Sequence, residues 1–173
     1  MTMVAARIRN VLVRELGAVA REVAAYPSDE LLWREVPGLP NPGGTLALHL
    51  AGNLEHYVGA VLGGTGYVRD RDAEFATRGL TRAEVRARVE AAAAAVDRSL
   101  TSATGAQVEG EYPEMVAGQR VRTADFLVHL VSHLGYHLGQ LDYHRRMVAP
   151  DTGGVGTISL AALPDYRSGL VID

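Results

Sequence analysis

Apolar residues recur at steps of three or four positions in four long segments of this chain. This spacing places them on one face of an α-helix, whose turn contains about 3.6 residues. The sequence shows neither an alternation of strands with helices nor an internal repeat. The first segment carries Ile8, Leu12, Leu16, Val19 and Val23, and the others cover about 46–62, 82–100 and 124–148. We therefore predict an all-α protein that folds as a four-helix bundle.

Hydroxyl side chains mark the expected starts of these helices. Thr81 and Glu84 form a T-x-x-E capping box ahead of the third helix. Thr45 and Thr123 precede the second and the fourth helix and are predicted to cap them. Ser28 is predicted to cap a short extra helix between the first two long ones.

The connections differ in length and composition. Residues 63–79 are rich in glycine and charge and are interpreted as a loop. Residues 104–122 predict a long connection with a brief strand pair before the last helix. The bundle domain is expected to cover 1–150, and the packing of a tail at 151–173 is left open.

Composition excludes several classes of function. The 173 residues, 47% of them hydrophobic, suffice for the core of one domain. Interspersed charges, with a net charge of −3, predict no nucleic-acid or membrane-surface partner. No apolar run is long enough to span a membrane, and the arginine-rich start does not resemble a signal peptide, so a cytoplasmic protein is expected. The absence of cysteine excludes disulfides, thiolate metal sites and a cysteine nucleophile.

Four histidines share one stripe of the last predicted helix. His129, His133 and His137 follow each other at intervals of four residues, and His144 returns to the same face two turns later. Neighbouring imidazoles one turn apart can chelate one ion. The H-x-x-x-H pattern lacks the glutamate of H-E-x-x-H, which would supply the base of a metalloprotease.

A second histidine stripe lies on the second predicted helix. His49 and His56 are seven residues apart, and Asn53 lies between them on that face. Packed helices lie about 8 to 10 Å apart, so the two stripes can meet at a metal ion. The alternative is that each histidine is a core residue that hydrogen-bonds a neighbour. Burying so many imidazoles without a shared ligand is costly, which favours the metal site.

Two stretches resemble a known family. LALHLAGNLEHYV and, about eighty residues later, LVHLVSHLGYHLGQL resemble the DinB/YfiT-like superfamily of bacterial metalloenzymes. The resemblance covers about residues 5–148, and H-x-x-x-H-x-G-Q is its most specific part. It implies an up-down-down-up four-helix bundle whose metal is held by His49, His133 and His137. Members with known activity are transferases or isomerases that use bacillithiol, mycothiol or glutathione.

The chemistry expected from this resemblance is that of a divalent metal with an open position. Three neutral imidazoles leave such a position, as catalytic metals require. Zinc or nickel is expected first, with iron or manganese as alternatives, together with a low-molecular-weight thiol. Thiol-dependent S-transfer and metal-assisted hydrolysis are both hypotheses for the reaction on a small-molecule substrate. Polar residues near the ligands by helical spacing are candidates for supporting the ligands or touching substrate: Asn53, His56, His129, Tyr136 and Gln140.

A second hypothesis belongs to another class. The chain would then be a non-catalytic, stress-related bundle that binds a ligand or dimerises, with a structural metal or none. A homodimer is expected under either hypothesis, because bundles of this kind often pair through apolar helix faces. Metal content and activity separate the two.

Overall fold

The computed structural model describes residues 2–156 and 158–163 of the chain. Seven α-helices lie in this part, in the order α1 (Met3–Ala24), α2 (Asp29–Leu32), α3 (Gly43–Leu54), α4 (Arg71–Ala76), α5 (Arg82–Ser102), α6 (Gly105–Glu109) and α7 (Thr123–Val148). A π-helix at Glu55–Ala60 continues α3, and 3₁₀ turns cover Pro150–Thr152 and Leu160–Ala162. None of the helices in the described ranges combines the length and apolar character that crossing a membrane requires.

The four long helices form a bundle in which α1 and α3 each pack against both α5 and α7. Contacts at the helix ends give the directions. Ala5 near the start of α1 shares an apolar cluster with Ala103 after α5 and with Ala124 at the start of α7. The ring centroid of Tyr57, which follows the end of α3, lies 5.0 Å from the ring centroid of Phe126 on α7. The helices α1 and α7 therefore run opposite to α3 and α5, which confirms the up-down-down-up bundle.

The larger of the two apolar clusters in the described residues receives side chains from all four long helices. The five apolar residues that defined the periodicity of the first segment are all buried. Burying a large aliphatic side chain stabilises a fold by about 1.5 to 3 kcal/mol. The core therefore orients each long helix, and with it the polar side chains on neighbouring faces.

The predicted helix starts are confirmed in two cases and wrong in two. Ser28 caps α2, since its hydroxyl oxygen accepts from the N–H of Leu31 at 3.3 Å. The N–H of Thr81 donates to Glu84 Oε2 at 2.8 Å, and Thr81 Oγ1 accepts from the N–H of Glu84 at 3.2 Å, which is the capping box. Thr123 is instead the first residue of α7, after Arg122, and its hydroxyl caps nothing. Thr45 lies inside the first turn of α3, where its Oγ1 accepts from Arg78 at 3.0 Å.

The early start of α3 follows from two glycines that sequence propensity disfavours in a helix. A Cβ at Gly43 would lie 2.2 Å from the hydroxyl of Tyr26, and one at Gly44 would lie 2.6 Å from the ring of Trp33. Only glycine permits these rings to pack so close to the backbone. Tertiary packing therefore lets α3 begin at Gly43, two residues before Thr45.

The interpretation of 63–79 as a loop is wrong for residues 71–76, which form α4. The side chain of Asp70 caps this helix by accepting from the N–H of Ala73 at 2.9 Å. The segment lacks apolar periodicity, so its helix depends on this cap and on contacts to α3. In the later connection, the strand pair is reduced to two isolated bridges, Glu111 with Arg122 and Val116 with Gln119.

The beginning of the C-terminal tail packs on the bundle. Arg145 on α7 has a fully buried side chain that donates to Glu22 on α1 at 2.5 Å and to the carbonyl of Gly153 at 2.9 Å. Arg21 on α1 donates to the carbonyl of Val155 at 3.2 Å. The expected tail at 151–173 is thus attached up to residue 156, while 157 and 164–173 lie outside the described residues.

His144 is a buried histidine that joins three parts of the fold. Its Nε2 donates to the carbonyl of Arg34 at 2.8 Å, so its Nδ1 accepts from the hydroxyl of Tyr26 at 2.7 Å. Burial lowers the pKa of this imidazole, and the hydrogen bond to Arg34 opposes that shift. His144 is therefore neutral in the folded chain and links α7 to α1 and to the segment before α3.

Acid is expected to weaken the fold through His144. An unfolded chain takes up this proton near pH ~6.5, whereas the folded chain takes it up only at lower pH. The free energy of unfolding therefore decreases as pH falls through that range. In urea unfolding of the metal-free protein between about pH 7.5 and 5.5, His144→Gln should show a smaller decrease than the wild type. Equal decreases for the two proteins would contradict this role.

Candidate metal centre

Three imidazoles from two helices converge between α3 and α7. One ligand nitrogen from each of His49, His133 and His137 lies within 4.8 Å of the other two. The Nε2 atoms of His49 and His133 are 3.3 Å apart. The ring centroids of His133 and His137 are 4.6 Å apart, and each lies 5.2 Å from that of His49. The structure therefore brings together the three histidines that the family resemblance implied.

Helix geometry explains this convergence. His133 and His137 are one turn apart on α7, so their rings project side by side. His49 faces them from α3, which packs against α7. His49 is buried, with 8% of its surface exposed, whereas His133 and His137 are half-buried. The cluster is thus closed on the side of α3 and reachable by solvent along α7.

Hydrogen bonds orient two of the three rings. The Nδ1–H of His49 donates to Glu74 Oε2 at 3.0 Å, because a carboxylate only accepts. The Nδ1 of His137 lies 2.7 Å from Gln140 Oε1, to which it donates. In both rings the hydrogen is on Nδ1, and the Nε2 lone pair remains available. Metal-binding histidines are commonly held in this way by an outer carboxylate or amide oxygen.

Glu74 is a buried carboxylate held by an arginine. Arg69 donates to it twice, from Nε at 2.6 Å and from Nη2 at 2.8 Å. Burial acts to raise the pKa of Glu74, but the bonds from Arg69 and His49 outweigh it, and the pKa lies below its usual value. A Cβ at Gly52 would lie 2.2 Å from Glu74 Oε1, so this glycine permits the carboxylate to reach α3. Glu74 is therefore an ionised acceptor for His49.

His133 lacks such an outer partner among the described residues. Its Nδ1 is buried without a hydrogen bond, as is Oδ1 of Asn53, one turn beyond His49 on α3. Burial lowers the pKa of His133 to about 4, and the neighbouring imidazoles of His137 and His49 add to that effect. Burial also lowers the pKa of His137. These two rings are therefore neutral near pH 7, the state that can bind a metal.

The residues present fit a divalent metal ion. Two nitrogens bound at about 2.0 to 2.1 Å in a tetrahedral arrangement lie roughly 3.3 to 3.4 Å apart, close to the 3.3 Å between His49 and His133. The unpartnered, buried Nδ1 of His133 also fits a ring whose other nitrogen serves as a ligand. Imidazole donors suit zinc, nickel, copper and iron. The three-histidine group can thus hold one metal ion.

The other predicted site residues differ in how close they lie to this cluster. His56 lies 3.3 Å from Glu114 Oε2, and the ring of His129 stacks on Phe126 with centroids 5.9 Å apart. Tyr136 is 66% exposed, with its ring 5.1 Å from that of His137. Seven residues correspond to about 10 Å along a helix axis, which separates His56 from His49 and His144 from His137. A shared helix face therefore does not bring the ring of His56 to that of His49, or the ring of His144 to that of His137.

Sequence reasoning missed Glu74 and Arg69. Both lie in the segment interpreted as a loop, five residues apart and twenty or more residues from His49. The one available signal was Asp70, a capping residue four positions before Glu74, which indicates a short helix. Nothing in the spacing indicates that this helix packs on α3.

Removing the Glu74 carboxylate is expected to weaken metal binding about 10- to 100-fold, because the orientation and basicity of His49 depend on it. Competition with a zinc chelator measures this change for Glu74→Ala. Asp72→Ala on the exposed side of α4 is the matched control and should bind as the wild type does. Equal affinity in the Glu74 variant would show that this carboxylate does not support the site.

The chain matches the model of a known protein family. The family model of the DinB superfamily matches residues 12–141, which is most of the 173-residue chain and includes all three histidines. No curated protein and no solved structure matched the chain in the same comparisons. The chain belongs to the DinB superfamily.

Proposed function

We propose that this protein is a divalent-metal-dependent enzyme that acts on a small molecule with a low-molecular-weight thiol as co-substrate. The observation that carries the proposal is the convergence of His49, His133 and His137, two of them oriented by Glu74 and Gln140. When bound, a divalent ion supplies Lewis-acid chemistry and lowers the pKa of a thiol or water at its open position. Zinc or nickel is the ion we propose first, since imidazole donors suit both.

The state of Glu74 favours a thiol over water as the nucleophile. Glu74 is the carboxylate that hydrogen-bonds a ring of the cluster, but Arg69 and His49 occupy its oxygens and its pKa is lowered. It is therefore a poor base. A free thiol has a pKa of about 8.5, compared with 15.7 for water. Thiol attack thus depends less on a protein base, and metal-assisted hydrolysis is the second candidate.

The number of ligands favours catalysis over a purely structural metal. Structural zinc sites usually present four protein ligands, whereas catalytic sites present three and leave a position open. The group found among the described residues contains three. The half-buried positions of His133 and His137 leave a path for a small molecule along α7.

Metal content and a thiol screen test the proposal. Protein purified without a histidine tag should contain about one divalent ion per chain by elemental analysis. The loaded protein is then incubated with bacillithiol, mycothiol or glutathione and a panel of electrophiles, and loss of free thiol is followed. At least one combination should react faster with the loaded protein than with the metal-free protein or with His133→Ala.

Two outcomes contradict the proposal in different ways. A chain that binds no divalent ion rules out the metal enzyme. A chain that holds its ion but accelerates neither thiol transfer nor hydrolysis favours the alternative of a non-catalytic bundle with a structural metal.

A further inference from the structure

A groove of about 420 Å³ lies beside the metal centre. It is formed by the second half of α7, the start of α3 and the loop before α3, and its walls include Leu39, Leu46, Tyr136, Tyr143 and Met147. Small-molecule sites commonly have volumes of about 300 to 1,000 Å³. The groove is therefore large enough for part of a substrate.

The groove and the metal centre share a wall. Gln140 lines the groove, and its Oε1 is the atom that holds His137 Nδ1 at 2.7 Å. Leu46 lines it from α3, one turn before His49. The ring of Tyr136, another residue of the groove wall, lies 5.1 Å from that of His137 between centroids. A molecule seated in the groove therefore lies next to residues that contact His137.

The residues that line the groove favour an uncharged ligand. None of the lining residues is an Arg, Lys, Asp or Glu. His144 also lines the groove, but Tyr26 and the carbonyl of Arg34 engage both of its ring nitrogens. Tyr136 and Tyr143 are 66% and 71% exposed, so no described part of the chain covers these rings. An ionic group would lose its hydration here without gaining a counter-charge.

We infer that this groove binds an uncharged apolar group, aryl or alkyl, of the small molecule whose reactive atom is presented to the three histidines. The inference rests on the proposed function and adds the substrate class: a hydrophobic compound with one polar, metal-reaching end. The groove contributes binding energy remote from the reacting atom, which orients that atom at the centre.

Two glycines on α7 offer a matched pair of variants. A Cβ at Gly139 or at Gly135 meets no atom within 4 Å, and neither glycine has a positive φ. Gly139 lines the groove, whereas Gly135, one turn earlier, does not. The variant Gly139→Phe should therefore fill the groove, and Gly135→Phe should leave it open. Neither change is expected to disrupt the helix, since glycine is a poor helix former.

Hydroxamates of different length test the groove on the zinc-loaded protein. Calorimetry should show that 4-phenylbutanehydroxamate binds at least about tenfold more tightly than acetohydroxamate, because its phenyl ring is buried. An analogue that ends in a carboxylate should gain less than about twofold. Gly139→Phe should remove the phenyl advantage and leave acetohydroxamate binding unchanged, while Gly135→Phe keeps both.

Binding of the neutral dye Nile red to the metal-free protein separates this inference from the proposed function. If the metal-free protein binds the dye and Gly139→Phe abolishes that binding, the result supports the groove. This holds even if the chain retains no zinc, in which case only the proposed function fails. Zinc retention without a phenyl advantage overturns the groove instead. Equal effects of the two glycine variants also overturn it, as does a wild-type dimer that Gly139→Phe converts to a monomer, because a second copy would then occupy the groove.

Discussion

Replacing His133 with alanine is expected to abolish stable metal binding. His133 supplies one of three convergent ligand atoms. Its Nε2 lies 3.3 Å from that of His49, and its ring centroid lies 4.6 Å from that of His137. Two remaining imidazoles leave more than one position to solvent, which suits neither a structural nor a catalytic site. Elemental analysis should show a fall from about one ion per chain to about a tenth or less, together with loss of any metal-dependent activity.

The matched controls are the two histidines nearest to the cluster on the same helices. His129→Ala removes an exposed ring one turn before His133, and His56→Ala removes the ring that pairs with Glu114. Both variants should retain close to one ion per chain. Equal loss in all three variants would indicate a different ligand set, and full retention by His133→Ala would remove the basis of the proposed site.

Replacing Arg145 with alanine is expected to cause the largest loss of stability of the variants described. The side chains of Arg145 and Glu22 are fully buried, and their ion pair joins α7 to α1. Arg145 also donates to the hydroxyl of Thr152 and to the carbonyl of Gly153, which attaches the turn after α7. Removing one partner of a buried pair typically costs about 3 to 5 kcal/mol, because the other charge keeps its desolvation penalty. Urea unfolding at neutral pH measures this change.

Arg146→Ala is the control for this prediction. Arg146 adjoins Arg145 and pairs at 2.9 Å with Asp142, which also accepts from Arg145 at 3.1 Å, but the side chain of Arg146 is 48% exposed. Exposed pairs contribute little, so this variant should unfold close to the wild type. Similar losses of stability in the two variants would show that burial of the ion pair between Arg145 and Glu22 does not explain its contribution to the free energy of unfolding.

Much of the bundle could be predicted because its determinants are local. Apolar spacing in 3–23 predicts α1 and its buried face, and the side chains of Thr81 and Glu84 predict the start of α5. The start of α3 could not be predicted in this way. It depends on the rings of Tyr26 and Trp33 packing against two glycines, a contact between segments that lie ten or more residues apart.

In the candidate site, too, the features set by local spacing could be predicted and those set by contacts between distant segments could not. His133 and His137 are local neighbours on one helix, so their spacing alone indicates a pair of ligands. The choice of His49 over His56 came from the family resemblance, since both lie on nearly the same helix face. Glu74 and Arg69 were not foreseen, because their segment carries no periodic pattern and reaches His49 only through the backbone space at Gly52.

The amino-acid sequence by itself determined that four amphipathic helices form and that one of them presents imidazoles at successive turns, because both depend on residues within a few positions of each other. The tertiary structure decided which imidazoles share a point in space, which carboxylate orients His49, and that an apolar groove adjoins His137. These depend on the axial positions of packed helices, and distance along a helix axis is not readable from the face that a residue occupies.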